Sequence, residues 1–105
     1  MVADTKTLNQ VVSSYVADVR RTMPIDKVYL FGSYAKGMAS EWSDIDLCFF
    51  SDSFENRRSV DIVTELLALA HDYPDFDIEP HVFPTSELQN DNPFVKEILL
   101  TGIEI

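Results

Sequence analysis

The sequence predicts an α/β (α+β) domain in which a small mixed β-sheet is flanked by helices. Apolar residues recur at helical spacing in three segments, which are residues 5–22, 55–71 and 92–102. Short β-rich or alternating runs separate these segments, at residues 27–31, 43–50 and 76–83. The 105 residues contain no internal repeat or linker, so residues 1–105 are interpreted as a single domain.

The first helix and the first strand are predicted from the N-terminal third of the chain. The helix, residues 5–22, has an apolar face and ends before Pro24, because a proline disfavours helical backbone in the residue before it. The run "KVYLF", residues 27–31, is rich in β-formers and is followed by Gly32, which indicates a short strand that stops there.

The second strand is predicted at "SDIDLCFF", residues 43–50. Because side chains alternate along a strand, Asp44, Asp46 and Cys48 share one face and the apolar residues between them occupy the other. The helix that follows, residues 55–71, is apolar over a wide surface and is therefore expected to pack across the sheet.

The third strand is predicted at "FDIEPHVF", residues 76–83. Alternation places Asp77, Glu79 and His81 on one face. Pro80 has no backbone N–H to donate, so this strand is expected at an edge of the sheet or to end irregularly. For a histidine such as His81, a structural role in an edge strand is commoner than a catalytic one.

The last predicted helix, residues 92–102, reads "NPFVKEILLTG". Pro93 suits the first turn, where a backbone N–H has no partner within the helix, and Gly102 is expected to end it. The predicted order is therefore helix, strand, strand, helix, strand, helix.

Charge and composition disfavour several classes of function. The formal net charge is -10, from 18 acidic and 8 basic residues, which argues against direct nucleic-acid binding because phosphate contacts need clustered Lys and Arg. An acidic surface suits a cationic partner, although it also serves solubility alone. No apolar run approaches the roughly 20 residues that span a bilayer. The single cysteine, Cys48, is typical of a reducing cytoplasm.

Two aspartates stand two residues apart on the second predicted strand, where aspartate is normally disfavoured. Asp44 and Asp46 would project from one face about 6–7 Å apart, and their like charges would raise at least one pKa. A divalent cation removes that conflict, and oxygen ligands favour a hard ion such as Mg²⁺. Asp77 or Glu79 from the third strand would complete the site.

A turn with glycine and serine precedes the aspartates. Gly32 permits a backbone conformation closed to most residues and a close approach to a ligand. The segment that begins at Ser33 could cradle a polyphosphate with its hydroxyl and backbone N–H groups. Lys36 could add a positive charge, although a surface role is commoner for a single lysine.

The segment "GSYAKGMASEWSDIDL" resembles the signature of the nucleotidyltransferase superfamily that includes DNA polymerase beta, and more narrowly that of the minimal nucleotidyltransferase domains. The segments "DIEPHVF" and "NPFVKEILLTGIEI" are similar to members of the same group. The resemblance therefore covers roughly the whole chain, and it implies the nucleotidyltransferase fold.

The resemblance also implies roles for the site residues. Gly32 and Ser33 would hold the triphosphate of an NTP such as ATP, while Asp44 and Asp46 would hold Mg²⁺. A third carboxylate would act as metal ligand or as base toward an acceptor hydroxyl, and the products would be a nucleotidylated acceptor and pyrophosphate. Glu79 is preferred for this third position, and Asp77 is the alternative one pleat away.

Three functions are compatible with this resemblance. The leading hypothesis is a nucleotidyltransferase that modifies a hydroxyl of a protein or a small molecule, serving as the antitoxin of a helical HEPN-type toxin. An aminoglycoside-modifying enzyme would also suit an acidic chain, but such enzymes usually carry a further helical domain. The third is a non-catalytic subunit that binds a partner. Whether the chain pairs with a second copy is left open.

Overall fold

The computed structural model describes residues 5–39 and 44–105. Within these ranges the chain forms three α-helices and four β-strands. Their bounds in chain order are α1 (Thr5–Thr22), β1 (Lys27–Phe31), β2 (Ile45–Phe50), α2 (Ser59–Ala70), β3 (Ile78–Phe83), α3 (Pro93–Thr101) and β4 (Ile103–Glu104).

The four strands form one mixed sheet in the order β3-β2-β1-β4. Strand β1 is antiparallel to both of its neighbours, whereas β2 and β3 run parallel. The predicted α/β class with a small mixed sheet is therefore confirmed. Strand β4 was not predicted, because its two residues carry no readable alternation, and it forms only by pairing with Tyr29 and Leu30 of β1.

Helices α1 and α2 cover one face of the sheet and build the larger core. Apolar side chains of β1 and β2 pack there against both helices, with Leu47 and Phe49 fully buried. Tyr15 of α1 is also fully buried, and its hydroxyl donates a hydrogen bond of 2.7 Å to the Leu66 carbonyl of α2. This bond satisfies the one polar atom that the ring carries into the core.

Helix α3 covers part of the opposite face. Cys48 and Phe50 of β2 pack there with Val95 and Ile98 of α3. Asn92 caps this helix, because its side-chain oxygen accepts hydrogen bonds from the first backbone N–H groups. The alternation predicted for β2 is thus realised, and both faces of the strand are buried for most of its length.

Strand β3 lies at the edge of the sheet, as Pro80 predicted. The carbonyls of Asp77 and Phe83 accept hydrogen bonds from β2 and the residue after it. Backbone groups alternate in direction along a strand, so Pro80 lies in the set that faces away from β2. Its missing N–H therefore leaves no gap in the ladder.

Several predicted elements begin later than expected, and β2 begins at Ile45 rather than at residue 43. Residues 55–58 do not belong to α2, because Asp52–Asn56 forms a separate 3-10 turn that buries Phe54. Buried Ser51 caps this turn and donates to the Pro24 carbonyl at 2.7 Å. Strand β3 begins at Ile78 because Tyr73 and Phe76 close a turn with a 3.1 Å backbone hydrogen bond.

Within the described ranges, no helix combines the length and the hydropathy that a membrane crossing requires.

Candidate active site

The turn after β1 lies directly against the first carboxylate of the site. Gly32 has a φ of +75°, and its neighbour Phe31 is the register partner of Asp46. A Cβ atom built on Gly32 would overlap Asp46 Oδ2. Position 32 therefore requires glycine for two reasons. Its backbone is left-handed, and the Asp46 carboxylate occupies the space that a side chain would need. Backbone hydrogen bonds from Lys36 to Gly32 and from Met38 to Ser33 close the turn.

The acidic residues form two short rows at the starts of β2 and β3, each with one residue in the strand and one just before it. Asp46 and Glu79 lie on the sheet face that α3 partly covers. Asp46 and Glu79 are register partners in the parallel ladder. Asp44 and Asp77 each stand one position before the paired Ile45 and Ile78. The Ile45 N–H donates to the Asp77 carbonyl at 2.7 Å, which ties the two rows together at their first position.

The carboxylates perturb one another. The pKa of Asp46 is raised from 3.8 to about 6, first because the group is partly buried, then because Glu79 and Asp44 carry like charges nearby. A hydrogen bond between the protonated Asp46 and Glu79 acts in the same direction. The charge of Asp44 is thus close enough to Asp46 to raise its pKa, as the charge of Glu79 does.

The imidazole of His81 lies beside the carboxylates of Asp46 and Glu79. Ligand atoms of Asp46, Glu79 and His81 all lie within 4.8 Å of one another, and His81 Nε2 is 3.6 Å from Glu79 Oε1. A raised carboxyl pKa beside a second carboxylate, with further donors in reach, is the environment that a divalent cation relieves. The residues present therefore fit a metal ion.

The other sequence candidates are not among the three residues of this group. Lys36 Nζ lies 3.6 Å from Glu97 Oε1 of α3, so the lysine is engaged with an acidic residue across the turn. Ser33 is half-buried at the start of the turn, and Asp77 is exposed one pleat away from Glu79. Residues 40–43, which connect the turn to Asp44, lie outside the described residues.

A groove of about 680 Å³ opens beside the carboxylates. Asp44, Asp77 and Glu79 border it on one side, and the segment that joins α2 to β3 forms its wall, with Tyr73 and Phe76 among its side chains. This wall was not recognised in the sequence, because its residues are predicted only as a helix end and a loop. The position of His81, by contrast, follows from its two-residue spacing from Glu79.

Cys48 lies behind the site and takes no part in it. Its side chain is fully buried against α3, and burial raises the pKa of its thiol to about 12. A thiol held neutral in this way is a poor nucleophile. It packs against α3 one pleat along β2 from Asp46 and fills space there.

Comparison with known proteins gives consistent results. The nucleotidyltransferase domain family model matches residues 12–102. A candidate protein adenylyltransferase of Methanocaldococcus jannaschii is 35% identical over 57 residues, and the match covers 52% of this chain. The chain spans only 39% of that relative's length. A solved structure, a candidate nucleotidyltransferase from Sulfolobus solfataricus, aligns with a TM-score of 0.69 at 21% identity, over 90% of this chain and 76% of that one. At this identity the structural likeness establishes the fold.

Proposed function

The chain belongs to the nucleotidyltransferase domain family, and from this premise we propose that it transfers a nucleoside monophosphate from ATP to a hydroxyl group of a protein. The family match over residues 12–102 and the similarity to a candidate protein adenylyltransferase support this proposal. One observation carries it. The contact between Gly32 and Asp46 joins the turn suited to phosphate with the carboxylates suited to metal.

The proposed roles follow the layout of the site. Asp44, Asp46 and Glu79 would hold a divalent ion such as Mg²⁺, with Asp77 as the alternative to Glu79. Such an ion, when bound, neutralises phosphate charge and orients the reacting oxygens. The backbone at Gly32 and the hydroxyl of Ser33 would position the outer phosphates, and Lys36 would have to exchange Glu97 for a phosphate to assist them.

In the proposed reaction the acceptor oxygen forms a bond to the α-phosphorus while the bond from phosphorus to the bridging oxygen breaks. Pyrophosphate leaves, and the hydroxyl proton passes to a carboxylate, for which Glu79 is the candidate. Attacking and leaving oxygens lie on opposite sides of the phosphorus in such transfers. With pyrophosphate on the side of Gly32, the acceptor would approach from β3, where the groove beside Asp44 and Glu79 opens.

We propose a basic, helical HEPN-type toxin in the cytoplasm as the acceptor, with residues 1–105 acting as one antitoxin domain. The net charge of -10 favours encounter with a basic protein. Apolar side chains exposed near the C-terminal end of the described chain provide contact surface, and Leu100 is the most exposed of them at 82%. Burying such side chains in a complex would be favourable.

Labelled ATP tests the proposal. The protein would be incubated with Mg²⁺ or Mn²⁺, the product of the neighbouring gene, and ATP labelled on either the α- or the γ-phosphate. Transfer of the α label alone, with a mass gain of one nucleoside monophosphate on the acceptor, is the expected result. Transfer of the γ label would instead identify phosphorylation and contradict the proposal.

Three variants connect the reaction to the site. Asp46→Asn should abolish transfer and weaken binding of the metal–ATP complex, since it removes one charge from the centre of the group. Glu79→Gln and Asp77→Asn, made separately, identify the third carboxylate as the one whose loss stops transfer. If Asp46→Asn transfers at the wild-type rate, the assignment of the metal site is wrong.

A further inference from the structure

The metal group that the structure assembles contains a nitrogen donor. Asp46, Glu79 and His81 bring two carboxylates and one imidazole within 4.8 Å of one another. Two ligands bonded at about 2.1 Å to one ion lie about 3–3.5 Å apart. The separation of 3.6 Å between His81 Nε2 and Glu79 Oε1 is already close to that value. Asp44 does not belong to this three-residue group.

The position of His81 is imposed by the sheet. It pairs with Cys48 in the parallel ladder, one pleat along from the Asp46–Glu79 pair, so its side chain must share their face. The rings of Phe31 and Phe94 lie 5.1 and 5.6 Å from the imidazole, and they restrict its orientation. The side chain is still 30% exposed, which leaves a path for an ion.

Ligand chemistry then determines which ions this group prefers. Mg²⁺ prefers oxygen ligands in near-octahedral geometry, whereas Mn²⁺, Co²⁺ and Zn²⁺ accept imidazole together with carboxylate. We propose that His81 is a third ligand, with Asp46 and Glu79, of a divalent transition-metal ion, so that this site binds Mn²⁺, Co²⁺ or Zn²⁺ in preference to Mg²⁺. The inference rests on the proposed function, because it uses two of the carboxylates assigned to metal there.

Metal titration of the ATP-free protein tests this inference without an activity measurement. Binding of Mn²⁺, Co²⁺ and Mg²⁺ would be followed by calorimetry for the wild type, for His81→Gln and for His81→Phe. The phenylalanine variant keeps a ring between Phe31 and Phe94, so a loss of metal binding shared by both variants cannot be attributed to collapse of the aromatic packing. The chain's other histidine, His71, is exposed in the wall of the groove, and His71→Gln is the matched control.

We expect both His81 variants to bind Mn²⁺ and Co²⁺ at least about 10-fold more weakly, while their affinity for Mg²⁺ changes less than about twofold and His71→Gln binds all three ions like the wild type. The Co²⁺ complex should also show a paramagnetically shifted imidazole resonance that is lost in His81→Gln and kept in His71→Gln. Unchanged Mn²⁺ and Co²⁺ affinity in the His81 variants would overturn the inference, as would an equal loss for all three ions.

Asp46→Asn separates this inference from the proposed function. If Asp46→Asn weakens binding of every ion but the His81 variants do not, the carboxylate site stands and His81 is not a ligand. If Asp46→Asn binds all three ions like the wild type, the metal site of the proposed function itself is wrong.

Discussion

Replacing Asp46 by asparagine should stabilise the metal-free protein, although it removes a residue proposed to bind metal. The pKa of Asp46 is raised from 3.8 to about 6 by partial burial and by Glu79 and Asp44. Between these two pH values the unfolded chain loses this proton and the folded chain keeps it, so the group's contribution to stability falls as pH rises. Above pH 6 the folded protein bears the full cost of keeping a charged Asp46 partly buried beside Glu79 and Asp44. Asparagine is uncharged and does not bear this cost.

The size of the effect follows from the shift in pKa. A change of about 2 units corresponds to roughly 3 kcal/mol at 1.36 kcal/mol per unit. Because the side chain is only partly buried, solvent screening reduces this to about 1.5 kcal/mol. For a domain of this size that is a rise of roughly 5–10 °C in melting temperature. The asparagine amide can also donate a hydrogen bond to Glu79, as the protonated carboxyl does.

Thermal unfolding in EDTA at pH 4 and pH 8 measures this effect. Asp46→Asn should melt above the wild type at pH 8 and close to it at pH 4, whereas Asp52→Asn, an exposed carboxylate beyond the far end of β2, should change little at either pH. A saturating metal ion should reverse the order at pH 8, because an ion at 100 times its Kd stabilises the wild type by about 2.7 kcal/mol. A variant no more stable than the wild type at pH 8, or equally stabilised at both pH values, would refute the electrostatic reasoning.

Three further substitutions test other parts of the structure. Gly32→Ala and Gly37→Ala both place alanine at a positive φ and should each cost about 1–2 kcal/mol in urea unfolding. Only Gly32→Ala should also weaken Mn²⁺ binding, because its Cβ displaces the Asp46 carboxylate while Gly37 has open space around it; equal Mn²⁺ affinities in the two variants would contradict this. Tyr15→Phe should lower the free energy of unfolding by about 1 kcal/mol through loss of its hydrogen bond to the Leu66 carbonyl, with metal affinity unchanged. A loss of only a few tenths would show that the bond contributes little.

Most of the fold could be predicted because its signals are local. The apolar period of α1 and the strand run of β1 are properties of consecutive residues, and both elements have the predicted bounds. Pro80 predicted an edge strand because a missing N–H is a property of the residue itself. Strand β4 could not be predicted, since Ile103 and Glu104 become a strand only when β1 offers its free edge.

The candidate site, like the fold, could be predicted only in part from the sequence. Alternation alone places Asp44 with Asp46, and Glu79 with Asp77 and His81, because a strand repeats every two residues whatever surrounds it. Which residue of β3 meets Asp46 depends on the register of two strands separated in the chain by a helix, and only the folded ladder pairs it with Glu79. That pairing also brings His81 to the carboxylates, and the packing of α3 draws Lys36 toward Glu97. The sequence by itself therefore determined which side chains share a face, and the tertiary structure decided which of them meet, because contacts between strands depend on register and packing rather than on local backbone geometry.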